Sequence, residues 1–100
     1  MITVDTQGGG HGATVQADGP LTIEAAEGLR AALITALDRD ADVTADLSGA
    51  EELDLACMQV LLAARKACSA AGGTLTIKGL PEGLGRAVRD AGLTGLTTAA

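Results

Sequence analysis

The widest mix of residue types that could do chemistry lies between Asp46 and Cys57. The stretch DLSGAEELDLAC holds Asp46 and Ser48, three more carboxylates at Glu51, Glu52 and Asp54, and then Cys57. A thiol in the first turn of a helix can have its pKa lowered by the free amides and the dipole, which would make Cys57 a nucleophile. Its spacing to Leu61, Ala64 and Cys68 runs 4, 3, 4, the pattern of a buried helical stripe, and that favours packing over reactivity. Asp54 directly precedes the helix and is placed to accept from the amides of its first turn. Ser48 needs a general base to act as a nucleophile, and there is no nearby lysine and only one histidine, His11, in the chain. A hydrogen bond to turn backbone is the simpler use of its hydroxyl.

The second candidate stretch is GGGHG, from Gly8 to Gly12. A phosphate-cradling loop requires a helix after it and usually a lysine, whereas the residues that follow alternate like a strand. His11 with two distant thiols does not complete a tetrahedral metal site, so neither metal nor other cofactor is expected. Cys57 and Cys68 lie eleven positions apart on one helix, about 16 Å of rise. A disulfide spans no more than ~7 Å between Cα atoms, so both are expected to be free thiols.

Composition narrows the function classes. The 100 residues, 47% of them hydrophobic, fit one compact domain that buries about two thirds of its unfolded surface. Phe, Tyr and Trp are all absent, which removes base stacking as a route to nucleic acid. A formal net charge of -6 argues equally against phosphate backbones and anionic membranes. No apolar run approaches the ~18 residues of a membrane span, and MITVDTQ lacks the basic start of a signal peptide, so a cytoplasmic protein without membrane insertion is expected.

The elements that position these residues follow from periodicity. ITVDTQ and ATVQA alternate on either side of the glycines and predict an antiparallel hairpin. A helix is expected from Thr22 to Asp38, capped by Thr22, with Leu29, Ala32, Leu33, Ala36 and Leu37 on its buried face. Strand periodicity returns from Asp42 to Leu47 and stops at Ser48-Gly49. A second helix runs from Leu55 to Ala71, widened on its apolar side by Met58, Val60 and Leu62, with Arg65 and Lys66 towards its negative end and Gly72-Gly73 as the stop. TLTIKG is the last strand, and LPEGLGRAVRDAGL is a short helix with Pro81 in its first turn and Gly92 after it. The predicted order is therefore strand, strand, helix, strand, helix, strand, helix. Right-handed crossovers would place the first two helices on one face of a mixed sheet.

The run ADLSGAEELDLACMQVLLAARKACSAAGGTLTIKGLPEGLGRAVRDAGL resembles the STAS domain, the fold of bacterial anti-sigma factor antagonists, or anti-anti-sigma factors. Its most specific part is a strand ending in DLSG, a short spacer, and LD opening a Leu/Ala-rich helix. The resemblance implies an α/β fold, a mixed four- to five-stranded sheet with three to four helices mainly on one face. It also implies a protein partner of bacterial signal transduction, typically a serine kinase that is itself an anti-sigma factor. In phosphorylation-controlled members the helix opens Asp-Ser-Ser-Gly, and the hydroxyl before the glycine takes the phosphate. This chain reads Asp54-Leu55-Ala56-Cys57, so the phosphosite-equivalent position is Ala56, which has no acceptor. The Ala-Cys pair is similar to STAS proteins that accompany chemotaxis or other sensory-kinase systems.

These readings predict a non-enzymatic docking module that binds a histidine- or serine-kinase-like protein, an anti-sigma factor or a chemotaxis component by occupancy alone. The expected contact residues are Ser48, Glu51, Glu52, Asp54, Leu55, Ala56, Met58 and Gln59. Three alternatives stay open. One is the small STAS subunit of an ABC-type lipid transport system, docked on its ATPase. Another is a thiol-based redox sensor using Cys57, and the last is an anion or nucleotide site at the N-terminus of the second helix.

Overall fold

In the computed structural model, residues 2–5 and 12–90 are described. The predicted hairpin forms from β1 (Ile2–Asp5) and β2 (Ala13–Ala17), paired antiparallel with Val4 opposite Val15. Of the glycine turn only Gly12 is within the described residues; its φ of 78° is a value side-chain-bearing residues rarely adopt. Its amide donates to Asp40 Oδ2 at 3.0 Å, which ties the hairpin to the loop just before the neighbouring strand.

Two short strands that the sequence reading did not foresee come next in the chain order: β3 (Gly19–Leu21) and, later, β5 (Ala50–Leu53). Between and around them run α1 (Ile23–Arg39), β4 (Val43–Asp46), α2 (Leu55–Ala70), β6 (Leu75–Lys78) and α3 (Glu82–Asp90). The main sheet has the order β1-β2-β4-β6, with β2, β4 and β6 parallel and β1 antiparallel at one edge. β3 and β5 pair in parallel as a separate two-stranded sheet.

Each crossover moves one strand in the same direction, from β2 to β4 to β6, and the two crossover helices, α1 and α2, pack against each other. Alternation along the strands explains why helices cover only one face. Ala13, Val15, Val43, Ala45 and Leu75 are buried, while Gln16, Thr76 and Lys78 are exposed. The register lines up Thr14, Thr44 and Thr76 across three strands, and Gln16, Asp46 and Lys78 likewise, so the open face is polar throughout its parallel part.

The core lies between that apolar face and the helices. Leu29, Leu33 and Ala36 of α1 meet Cys57, Met58, Leu61 and Cys68 of α2 in one buried cluster. Removing each of the leucines from water contributes about 1.5–3 kcal/mol. A Cβ on Gly73 would meet the Ala41 carbonyl oxygen, so the loop after α2 packs directly on the loop after α1.

Several local expectations are corrected. Thr22 occupies the N-cap position of α1 with extended backbone, but its side chain makes no cap hydrogen bond. Arg65 and Lys66 lie too far from the end at Ala70 to complement the dipole, and the last turn of α2 has no basic residue. Pro81 stands just before α3, its carbonyl accepting from Gly85 N, and not within the helix. Gly92 lies outside the described residues.

Candidate functional site

The two short strands decide where the candidate residues sit. β3 leads directly into α1 and β5 into α2, and Leu21 and Leu53 are register partners. The Asp54 amide donates to the Leu21 carbonyl at 3.0 Å, so the pairing continues to the last residue before the helices. Both helices therefore start side by side at one edge of the molecule.

At the head of α2, Asp54 Oδ1 accepts from the Cys57 amide at 3.1 Å. This is side-chain capping of the usual kind, satisfying one of the free first-turn donors. The Cys57 thiol donates to the Thr22 carbonyl at 3.3 Å and is 0% exposed. Burial pushes the thiol up from 9.0 to about 11, and the neighbouring Asp54 charge and a hydrogen bond to Asp54 push in the same direction. Position in a first turn therefore does not make this thiol acidic: removal from water and an adjacent carboxylate outweigh the dipole. Cys68 is also buried, with its thiol raised by burial first and by the Asp42 charge second, and both cysteines are free.

Ser48 is held in a local turn. Asp46 Oδ1 accepts from the Ser48 amide at 3.0 Å and from its hydroxyl at 2.7 Å. Those bonds, the hydroxyl's first, hold the Asp46 carboxyl below its usual range, with Lys78 adding to the effect. A carboxylate so stabilised is a poorer base, so the Asp46–Ser48 pair is a turn lock and not a nucleophile with its activator. The turn is packed on both sides. A Cβ on Gly49 would collide with the Asp18 side chain, and one on Gly79, at φ 71°, would lie 2.8 Å from the Ser48 Cβ.

The predicted contact residues divide by accessibility. Ser48, Glu51, Glu52, Leu55 and Gln59 are exposed, and Asp54 and Ala56 are half-buried. Met58 is a correction: it is 5% exposed and belongs to the core, because it points to the sheet side of α2 alongside Leu61. Sequence reasoning also missed Ile23. It is the first residue of α1 and 71% exposed, and Leu55, the first residue of α2, is 56% exposed; each stands two residues beyond the register partners Leu21 and Leu53. A large apolar side chain outside the Leu29/Leu33/Ala36 stripe was the available signal.

Glu24, Glu51 and Glu52, all exposed, surround these two apolar residues in the sequence and along the paired strands. Among the described residues no group of three His, Cys, Asp or Glu side chains could hold a metal ion, and His11 lies outside them. The edge thus offers two apolar projections, nearby carboxylates and a side-chain-capped helix N-terminus, a geometry suited to contact with a macromolecule.

The family model described as "Mlab, STAS domain" matches residues 4–98. The chain belongs to the STAS domain family. Solved structures agree on the fold. The anti-sigma factor antagonist SpoIIAA in its unphosphorylated form superposes with a TM-score of 0.80 at 14% identity, over 96% of this chain and 84% of SpoIIAA. An anti-sigma factor antagonist from Thermotoga maritima gives 0.72 at 21% identity, covering 83% and 74% of the two chains. A sulfate transporter family protein from Wolinella succinogenes gives 0.70 at 18% identity, covering 82% and 67%. No curated protein matches the sequence. No helix among the described residues of this STAS chain is long and apolar enough to cross a membrane.

Proposed function

We propose that this STAS domain is a non-enzymatic docking module of bacterial signalling, which binds its protein partner through the edge where α1 and α2 begin. The partner is a kinase- or anti-sigma-type protein, or a chemotaxis component, and the contact residues are Ser48, Glu51, Glu52, Leu55, Gln59 and the half-buried Asp54 and Ala56. The observation that carries the reading is the exposure of Leu55 at the head of a helix whose Cys57 amide and thiol are already engaged within the chain. Together with Ile23 at the start of α1 it leaves apolar surface rimmed by carboxylates, which matches the apolar core and polar rim of a protein interface. Ala56 supports binding without phosphate: the position equivalent to the family phosphosite has no hydroxyl, so the close to two negative charges that phosphorylation adds are absent.

A second reading has two observations in its favour. The family model that matches carries the Mlab description, and a transporter-family protein is among the structural neighbours. On that reading the same edge docks on the ATPase of an ABC-type lipid transport system. Affinity capture from the source bacterium with the wild-type chain, followed by identification of what is bound, separates the two. Recovery of a kinase, anti-sigma factor or chemotaxis protein supports the first, recovery of an ABC ATPase supports the second, and equal recovery with wild type and Leu55→Asp removes this edge from both.

The redox alternative finds no support at Cys57. A thiol with no exposure and a pKa near 11 is protonated at neutral pH and out of reach of solvent oxidants. The nucleotide alternative loses the capping amide of Cys57, which Asp54 already occupies.

A further inference from the structure

Beside the docking edge, α1 and α2 leave a groove of about 520 Å³ between them, a size within the ~300–1,000 Å³ typical of small-ligand sites. Its walls are apolar and built from one stripe on each helix: Ile34 and Leu37 from α1, and Ala63 and Ala67 from α2, with small side chains leaving the room. The floor reaches Val43 and Cys68, both buried. Ile34, on the wall, is 45% exposed, an apolar residue left in water. Among the described residues only one lining side chain is charged, Arg30, and only one other carries an amide, Gln59; both stand in the half of the groove nearer the helix N-termini.

One cation at one end of an apolar slot sets the chemistry of its occupant. The ligand needs one anionic group and an aliphatic body. We propose that the groove binds a free medium-chain carboxylate, its head on the Arg30 guanidinium and its chain running towards Leu37 and Val43. Arg30 presents a planar fork that a carboxylate can accept from in two parallel bonds. Its present partner is Glu27, one turn away on the same helix at 3.7 Å, a solvent-exposed pair that is readily exchanged. From Arg30 to Leu37 the helix rises about 10 Å, which sets a medium and not a long chain. A second copy of the chain is a poorer occupant, since a net charge of -6 on each copy opposes association. The site is independent of the partner reading, although Ala56 and Gln59 belong to both surfaces.

The test is titration of the full chain with decanoate, decanol and decyltrimethylammonium, followed by calorimetry and by backbone amide NMR. Decanoate should saturate one site, shift the amides of Leu37, Ala63 and Ala67, and bind at least tenfold more tightly than decanol or the ammonium. Arg30→Ala, a change at an exposed position that leaves the core intact, should remove that preference, and Ala63→Leu should weaken decanoate by filling the slot. Equal binding of the three head groups, no binding, or an unchanged decanoate affinity in Arg30→Ala overturns the proposal. So does binding only to anionic phospholipid vesicles, which would assign the face to a membrane surface, or a dimer in light scattering that Ala63→Leu dissociates, which would assign it to a second copy.

Discussion

The heads of the two long helices invite comparison because they are built alike and finished differently. Each follows a short strand that ends in a buried leucine, Leu21 or Leu53, and these are register partners. Each has an extended N-cap residue, Thr22 or Asp54, and each opens with an exposed aliphatic side chain, Ile23 or Leu55. At α2 the cap side chain is engaged with the Cys57 amide; at α1 it is not, and the Thr22 carbonyl accepts instead from Ala25 N and the Cys57 thiol. The conspicuous chemistry of the α2 head is thus spent on structure: the carboxylate caps its own helix and the thiol fastens α2 to the head of α1. What is left over at both heads is apolar surface, and that is the material of an interface.

The comparison is broken most severely by the paired leucines. Leu21→Ala or Leu53→Ala should each cost about 2–5 kcal/mol in denaturant unfolding, since both are core positions beneath the shared edge. Unequal costs would show which head depends more on the two-stranded sheet. Next come the caps. Asp54→Ala should cost about 1 kcal/mol, and Thr22→Ala only a few tenths, because Thr22 makes no side-chain cap bond to lose. Equal losses would contradict the asymmetry.

The thiol gives a smaller effect with a definite sign. Because the folded Cys57 pKa is raised to about 11, its contribution is fully present below the unfolded value near 9 and is lost as pH rises from about 9 towards 11. Cys57→Ala should flatten that loss, and iodoacetamide at neutral pH should label Cys57 more slowly in native than in unfolded protein. Asp46 gives the smallest effect and the opposite sign. Its lowered pKa supplies stability present above the unfolded value of about 3.9 and lost as pH falls through the folded value. Asp46→Asn should remove that acid-side dependence without affecting the alkaline side.

Much of this fold was legible in the sequence because its patterns are long or local. The hairpin and both long helices follow from alternation and from the Leu29/Leu33/Ala36 and Cys57/Leu61/Cys68 stripes. The short parallel pair was not legible. Gly19-Pro20-Leu21 reads as a turn, Ala50 to Leu53 buries only its two ends, and their pairing joins segments some thirty residues apart. Without that pair the carboxylates before α2 look like a loop rim, Ile23 has no neighbour across the edge, and nothing indicates that Thr22 faces Cys57. Met58 was placed on the contact surface for the same reason. Spacing gave it a helical phase between core and rim, and only the position of the sheet resolves it into the core.

As proposed, partner binding rests on the exposed apolar heads of α1 and α2 and needs no phosphate. Its most direct measurement is the affinity of the captured partner for wild type, Leu55→Asp, Ile23→Asp and Ala56→Ser, each checked for an unchanged thermal midpoint. Binding should be at least tenfold weaker for Leu55→Asp, clearly reduced for Ile23→Asp, and of wild-type strength for unphosphorylated Ala56→Ser. Wild-type affinity in both aspartate variants would contradict it.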